Sequence, residues 1–207
     1  MKKLFLSSAA IFTLDLIRPI LPVSAKKLRV AFIPTAADLY TEKQWMYDDR
    51  NKLIEMGFDV FDVDIKNKTE EKLLKELKNI DILFVSGGNT YFLLEKILQS
   101  GFDRVIKKLI NQGVIYIGSS AGSVLACPTI EFIEDLDDRS EANLSTFTGL
   151  GLVDFLILPH YGDPKYDVRL NKIINKWKNK GYKIITLTND QAIIVEGDSQ
   201  KIVEVKS

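Results

Sequence analysis

A chain of 207 residues that is 46% hydrophobic is long enough to bury a sizeable core, and we expect residues 1–207 to form a single domain. Its 28 basic and 28 acidic residues cancel, which favours a small neutral or zwitterionic partner over nucleic acid or a membrane. Its single histidine argues against a zinc hydrolase, because zinc sites in hydrolases usually use two or more histidines, and we expect neither a metal nor a cofactor.

The N-terminal segment imitates a secretory signal, because two lysines precede an apolar run and Val23–Ala25 offers small residues where cleavage could occur. Asp15 and Arg18 interrupt the run and leave too short an apolar segment to cross a bilayer. We therefore predict a buried strand at Leu4–Ser8, a short helix over Ala9–Ile17 and a cytoplasmic location.

Along the rest of the chain, short β-rich runs alternate with segments of helical period. This alternation is typical of an α/β fold with a mostly parallel sheet covered by helices on both faces. Residues 131–149 are acidic and then rich in Ser, Thr, Asn and Gly, and this composition predicts a long irregular connection. Further strands are predicted at Leu28–Ile33, Val60–Ile65 near a sheet edge, Ile82–Val85, Val114–Ile117, Phe155–Leu158, Lys183–Leu187, and an antiparallel hairpin of Ala192–Val195 with Ile202–Val205. Helices are predicted at Thr41–Met56 with Trp45, Leu53 and Met56 on the buried face, from Thr69, from Tyr91, at Val105–Ile110, and at Tyr166–Lys178.

The segment from Gly118 to Gly122 matches the pattern G-x-S-x-G in one frame, with Ser120 at its centre. In this pattern a sharp turn from strand to helix strains the central residue and exposes its hydroxyl, and the glycines avoid collisions with neighbouring backbone. The turn also directs the N–H of Ala121 toward a substrate carbonyl oxygen. Ser120 is therefore the candidate nucleophile, against the alternative of a tightly packed turn without chemistry.

A serine nucleophile needs a base, and His160 is the only histidine in the chain. It follows the predicted strand Phe155–Leu158, at the carboxyl edge of the sheet where Ser120 is also expected. The glycine-rich turn Ser86–Thr90 ends another strand at this edge, and the N–H of Gly88 is the natural second donor to an oxyanion. This turn lacks the basic residue that a phosphate-binding loop would use.

An acid should orient the histidine, and the sequence offers five candidates after the nucleophile without choosing among them: Glu131, Glu134, Asp135, Asp137 and Asp138.

Three segments together resemble the peptidase E family of serine exopeptidases, which includes the aspartyl dipeptidases and, more distantly, cyanophycinase. They are GGNTYFLL at 87–94, GSSAGS at 118–123 and LPHY at 158–161. The resemblance covers nearly the whole chain. It implies a three-layer sandwich of the class I glutamine-amidotransferase-like fold, and a serine peptidase that acts on dipeptides or small peptides without a cofactor, as a monomer or homodimer.

The resemblance also implies roles for individual residues. Ser120 is the nucleophile, His160 is the base and then the acid, and Gly88 and Ala121 form the oxyanion hole. The family's acid lies about fifteen residues after the serine, which gives Asp135, with Glu134 and Glu131 as alternatives. Asn89 in the GGNT turn and Arg169 are the candidate substrate-binding residues. In the aspartyl dipeptidases an arginine reads the N-terminal aspartate, and Tyr166 stands at its place here, so the resemblance does not carry that specificity over.

Two other functions stay open from the sequence. An esterase or amidase of the α/β-hydrolase type would share the serine turn. A non-catalytic binding protein of the same fold would keep the GGNT turn without activating the serine, and a His160 more than about 5 Å from Ser120 would favour it.

Overall fold

A computed structural model of the chain describes residues 1–22 and 27–206. Its strands are β1 (Lys3–Ser7), β2 (Arg29–Ile33), β3 (Asp59–Asp62), β4 (Ile82–Val85), β5 (Ile115–Ser119), β6 (Leu156–Leu158), β7 (Ile184–Thr186), β8 (Gln191–Glu196) and β9 (Ser199–Glu204). Its helices are α1 (Ala10–Thr13), α2 (Gln44–Glu55), α3 (Glu70–Glu76), α4 (Thr90–Ser100), α5 (Phe102–Asn111), α6 (Ala121–Leu125) and α7 (Asp167–Trp177).

A mostly parallel sheet of seven strands forms the centre, in the order β3-β2-β4-β5-β1-β8-β9. The five strands from β3 to β1 are parallel, and β8 and β9 add an antiparallel hairpin beside β1. The predicted hairpin and the edge position of the third strand are thereby confirmed.

Two hydrophobic cores lie on opposite faces of this sheet, because successive side chains of a strand point to opposite sides. In β1, Leu4 and Leu6 belong to the larger core, which helices α3 to α7 cover. Phe5 belongs to the smaller core, which α1 and α2 cover. The result is the predicted arrangement of helices on both faces.

Three details differ from the sequence prediction. Strands β6 and β7 form a separate parallel pair and do not join the central sheet. The helix predicted over Ala9–Ile17 is a single α-helical turn followed by a 3₁₀ segment at Leu14–Ile20, with Pro19 inside it. Trp45 is 39% exposed, and the buried face of α2 instead carries Met46, Asp49 and Leu53.

The N-terminal residues that imitate a signal sequence form β1, an interior strand of the sheet. The predicted cleavage position at Val23–Ala25 lies outside the described residues. Within the described segments, every helix is too short or too polar to cross a membrane.

Candidate active site

The sharp turn predicted around Ser120 is present between β5 and α6. Ser120 has φ 47° and ψ −107°, a conformation that non-glycine residues rarely adopt and that costs about 1–3 kcal/mol. Its N–H donates to the carbonyl oxygen of Ser7 at 3.0 Å, which fixes the turn to the end of β1. The strain is therefore held by the central sheet.

The glycines of the motif are needed because other backbone passes close to them. A Cβ on Gly118 would lie 2.6 Å from the carbonyl carbon of Gly122, and one on Gly122 would lie 2.1 Å from the carbonyl oxygen of Val85. Neither position has room for a side chain. The requirement for small residues at both ends of G-x-S-x-G thus has a direct steric cause.

His160 contacts Ser120 as the sequence predicts. The Nε2 atom of the imidazole lies 2.9 Å from Ser120 Oγ, well within hydrogen-bond distance. His160 itself has φ 62°, so both residues of the pair sit on strained backbone. The backbone N–H of His160 donates to Ser8 Oγ at 2.8 Å, so this loop is anchored to the residue that follows β1.

The second imidazole nitrogen contacts an amide and not an acid. His160 Nδ1 lies 2.8 Å from Oδ1 of Asn189, and the hydroxyl of Ser8 donates to the same oxygen at 3.3 Å. A carbonyl-type oxygen can only accept, so Nδ1 carries the proton and Nε2 is left free to accept from Ser120. This arrangement gives the histidine the tautomer that a base requires.

The expectation that Asp135 orients His160 is not met. The Asp135 carboxylate pairs with Lys172 on α7, and Glu134 pairs with Lys176 one turn further along. Glu131 is exposed. The chain from 131 to 135 folds as a 3₁₀ segment packed against α7, so its acids face that helix and not the imidazole.

Asn189 and Ser8 were both missed by the sequence analysis. Strands β6 and β7 are parallel neighbours, with Leu158 opposite Thr186. His160 follows the end of β6 by two residues, and Asn189 follows the end of β7 by three. A correct pairing of these two strands would have brought Asn189 beside His160, because the carboxyl ends of parallel strands meet at one edge.

Two backbone N–H groups border the cavity beside the serine. Those of Gly88 and Ala121 donate to no acceptor within residues 1–22 and 27–206. Gly88 has φ 138°, and a Cβ there would lie 2.0 Å from the carbonyl oxygen of Ala36. The neighbouring Gly87 packs so closely that an added Cβ would lie 3.3 Å from Ser120 Cβ. The glycine turn thus brings its backbone directly against Ser120.

A cavity of about 540 Å³ opens over this pair. Its walls carry carboxyl groups from Asp49, Asp137 and Asp163, and cationic groups from Lys165 and Arg169. Aromatic rings also line it, from Tyr40, Trp45 and Tyr166. The volume and the mixture of charges suit a small zwitterionic ligand.

The two candidate substrate-binding residues differ in position. Arg169 lines the cavity, and its guanidinium lies 5.1 Å from the centre of the Tyr166 ring. Asn89 is buried outside the cavity wall and caps α4, where Oδ1 accepts from the N–H of Phe92 at 2.9 Å and Nδ2 donates to the carbonyl of Asp138. The assignment of Asn89 to substrate binding is therefore replaced by a role in holding the glycine turn.

The environment of His160 favours the neutral imidazole. Burial lowers the pKa of His160, and Lys165 lowers it further, while the hydrogen bond to Asn189 and the charge of Asp163 oppose the shift. Tyr166 stacks on the imidazole at 5.0 Å between ring centres, with 26° between the planes. The ring of Tyr166 thus occupies the space beside His160.

A buried carboxyl lies on another wall of the cavity. Asp49 is 3% exposed and hydrogen-bonds to the hydroxyl of Ser119 and the N–H of Ile11. Burial raises the pKa of Asp49 to about 7, although both hydrogen bonds act in the opposite direction. This group therefore links α2 to the strand that carries the nucleophile.

Comparison with known proteins gives consistent matches over most of the chain. The sequence model of peptidase family S51 matches residues 6–203. An uncharacterized peptidase of Pasteurella multocida (strain Pm70) is 32% identical over 203 residues, which cover 98% of this chain and 97% of that protein. A protein of Drosophila melanogaster named as a probable alpha-aspartyl dipeptidase is 30% identical over 182 residues, or 84% of this chain and 72% of that one.

A crystal structure of a candidate peptidase E protein from Listeria monocytogenes EGD-e matches with a TM-score of 0.92 and 31% identity, covering 100% of both chains. The fold is accordingly the class I glutamine-amidotransferase-like fold expected from the sequence.

Proposed function

Because the chain belongs to peptidase family S51, we propose that it is a serine exopeptidase that hydrolyses dipeptides or other small peptides through an acyl-enzyme on Ser120. The observation that carries this proposal is the 2.9 Å contact between Ser120 Oγ and His160 Nε2, on a strained turn that faces the cavity. Two relatives, named as an uncharacterized peptidase and a probable alpha-aspartyl dipeptidase, support the same class of reaction.

In the proposed reaction, Ser120 Oγ attacks the scissile carbonyl carbon while His160 Nε2 takes the hydroxyl proton. The N–H groups of Gly88 and Ala121 donate to the oxyanion, and neither has another acceptor in the described part of the chain. The imidazolium then gives its proton to the leaving amine as the C–N bond breaks. A water molecule then attacks the acyl carbon while His160 Nε2 takes its proton. His160 returns this proton to Ser120 Oγ as the ester bond breaks, which releases the acid and regenerates Ser120.

Asn189 orients the base in this scheme. Its Oδ1 accepts from His160 Nδ1–H, which holds the imidazole plane and the tautomer. As a neutral amide it cannot stabilise the imidazolium as a carboxylate would. Burial lowers the pKa of His160 below its usual 6.5, and the neutral Asn189 opposes this shift less than a carboxylate would.

The alternative functions are less well supported. A non-catalytic binding protein would be favoured by a wide gap between His160 and Ser120, and the two are in hydrogen-bond contact. An esterase or amidase of the α/β-hydrolase type would use the same kind of serine nucleophile, so only the preferred substrate distinguishes it from a peptidase. Turnover of esters without turnover of peptides would favour it.

The nucleophile is tested with a fluorophosphonate probe and intact-mass measurement. We expect one adduct on the wild type, none on Ser120→Ala, and a retained adduct on Ser119→Ala, whose hydroxyl accepts from the N–H of Ala10 instead. Circular dichroism and a melting curve for each variant establish that it is folded. An adduct that survives in Ser120→Ala, or none on the folded wild type, would remove Ser120 from the reaction.

The activity is tested with a panel of free dipeptides, tripeptides and p-nitrophenyl esters. We expect dipeptide hydrolysis that disappears in Ser120→Ala, and lower rates for peptides that are too long for the cavity. The proposal includes a cytoplasmic location, since loss of the N-terminal residues by signal cleavage would remove the interior strand β1.

A further inference from the structure

Two cationic side chains on one wall of the cavity have no assigned role in the proposed chemistry. Among the residues that line the cavity, Lys165 and Arg169 carry the positive charges. Neither has a carboxylate oxygen within the 4.0 Å that defines an ion pair, in residues 1–22 and 27–206. Both charges are therefore available to an anionic group of a ligand.

The ring of Tyr166 brings these two cations to the same place. Lys165 Nζ lies 5.2 Å from the centre of the ring, and the guanidinium carbon of Arg169 lies 5.1 Å from it. Both distances are within the range of cation–π attraction. One guanidinium nitrogen of Arg169 also donates to the carbonyl oxygen of Lys165 at 3.3 Å. The two side chains thus form a cationic pair. Two like charges repel each other, so an anion that contacts both is attracted by both and relieves the repulsion.

A series of tight turns fixes the cationic pair relative to His160. The N–H of Asp163 donates to the carbonyl oxygen of His160 at 3.2 Å, and the N–H of Tyr166 donates to the carbonyl oxygen of Asp163 at 2.8 Å. The carboxylate of Asp163 accepts the backbone N–H of Lys165 at 3.0 Å. The chain from the base to the first turn of α7 is therefore held by its own hydrogen bonds.

The cationic pair lies on the side of the nucleophile where a leaving group departs. In the proposed reaction the acyl residue stays attached to Ser120, while the leaving amine takes its proton from His160 Nε2. The leaving residue must therefore lie beside the imidazole. Tyr166 stacks on this imidazole, and the cationic pair contacts Tyr166 in turn. An anionic group that meets the pair is thus expected on the leaving residue and not on the acyl residue.

The distances match a leaving group of one amino acid. The ring centres of His160 and Tyr166 are 5.0 Å apart, so each cation lies at most about 10 Å from the imidazole centre. The leaving nitrogen lies about 3 Å from Nε2 when it takes the proton. The carboxylate carbon of an amino acid lies about 2.5 Å from its nitrogen, and an ion pair spans up to about 4 Å. One residue therefore reaches the cationic pair, whereas a second would carry the carboxylate about 3.5 Å further.

We propose that Lys165 and Arg169 form a subsite for the carboxylate of the leaving residue, so that the enzyme reads the C-terminal carboxylate of a dipeptide. A carboxylate has two acceptor oxygens, to which the planar guanidinium of Arg169 can donate, while the ammonium of Lys165 adds a second charge. This inference rests on the proposed function and deepens it, because it selects dipeptides among the small peptides that the nucleophile could cleave.

The test measures binding to the inactive Ser120→Ala protein by calorimetry, which keeps it separate from the hydrolysis that tests the proposed function. The probes are the dipeptide Ala-Leu, its C-terminal amide, the tripeptide Ala-Leu-Ala, and the C-terminal amide of Asp-Leu. Arg169→Gln and Lys165→Gln each remove one charge. Lys172→Gln, on the same helix and paired with Asp135 outside the cavity, is the matched control. A melting curve establishes that each variant is folded.

We expect amidation and Arg169→Gln each to weaken the binding of Ala-Leu by about tenfold to a hundredfold, the range for a lost hydrogen bond to a charged group. Lys165→Gln should cause a smaller loss, Lys172→Gln should bind like the parent, and the tripeptide should bind more weakly than the dipeptide. In Arg169→Gln, amidation should have little further effect.

Equal affinity for Ala-Leu and its amide would overturn the inference without any further variant, and it would leave hydrolysis by the wild type as an independent result. Tight binding of the Asp-Leu amide that depends on Arg169 would also overturn it, since the cationic pair would then read an acidic side chain of the first residue. A carboxylate preference in a protein that hydrolyses no peptide would instead contradict the proposed function alone.

Discussion

Replacement of Asn189 by aspartate tests the organisation of the site at its most unusual position. Asn189 Oδ1 accepts from His160 Nδ1 at 2.8 Å, and Asn189→Asp keeps the size and the acceptor while adding a negative charge. Ser8 can still donate its hydroxyl to the new carboxylate. The geometry should therefore persist, and the difference should be electrostatic.

The size of the effect follows from Coulomb's law. Two unit charges about 4 Å apart attract by about 4 kcal/mol at an effective dielectric constant near 20. Burial of the new carboxylate cancels part of this, so we expect the pKa of His160 to rise by about 1–2 units. In the proposed mechanism the base is a neutral imidazole, so the acidic limb of kcat/KM should move to higher pH by the same amount. Above that limb, kcat should increase about tenfold because the imidazolium is better stabilised.

The assay is the pH profile of dipeptide hydrolysis between about pH 4 and 9, with ¹H NMR titration of the single histidine as an independent reading of its pKa. Asn175→Asp, on the exposed surface of α7, adds the same charge elsewhere and should leave the profile unchanged. An acidic limb that stays in place in Asn189→Asp, or that moves equally in Asn175→Asp, would refute the role of Asn189.

Three further predictions concern stability and positioning. Burial holds the pKa of folded Asp49 at about 7 against an ordinary 3.8, so between these pH values the folded state keeps a proton that the unfolded chain releases. The free energy of unfolding should therefore fall by up to about 4 kcal/mol between pH 4 and 7. In urea denaturation, Asp49→Asn should remove most of this pH dependence. Gly88→Ala meets backbone at 2.0 Å and should cost more than about 2 kcal/mol by the same method, whereas Gly57→Ala, with open space around it, should cost about 1 kcal/mol. Ser8→Ala leaves the N–H of His160 without its acceptor and should lower kcat more than it raises KM; an unchanged kcat would show that Ser8 only fills space.

The nucleophile turn could be predicted because its chemistry is local. G-x-S-x-G depends on contacts of Gly118 and Gly122 with adjacent backbone, and these follow from the strand-to-helix turn itself. His160 could be predicted because the chain offers no other histidine. The identity of the third residue could not, because it depends on which strands pair. Counting from the serine led to Asp135, whereas the partner of His160 arrives from β7, on a segment whose position relative to β6 is a tertiary fact.

The same limit explains the error at Asn89. Its position in a glycine-rich turn at the carboxyl end of β4 is the right region for substrate binding, and the turn does border the cavity. Whether a side chain there faces ligand or protein is decided by the segment that packs over it. The residues around Asp138 supply that cover, and the Asn89 amide donates to the Asp138 carbonyl at 2.9 Å. The irregular connection at residues 131–149 therefore determines that the Asn89 side chain contacts protein and does not face the cavity.

A single strand end aligns both reacting residues. The carbonyl oxygen of Ser7 accepts the N–H of Ser120 at 3.0 Å and the hydroxyl of Ser123 at 2.7 Å, while Ser8 Oγ accepts the N–H of His160 at 2.8 Å. Ser120 and His160 both have positive φ, a strain that persists only where surrounding structure imposes it. Because the last residue of one interior strand and the residue that follows it hold both, displacement of Ser7 and Ser8 would separate the nucleophile from its base even if each kept its own turn. The precision of the pair therefore depends on β1, which supplies neither reacting side chain.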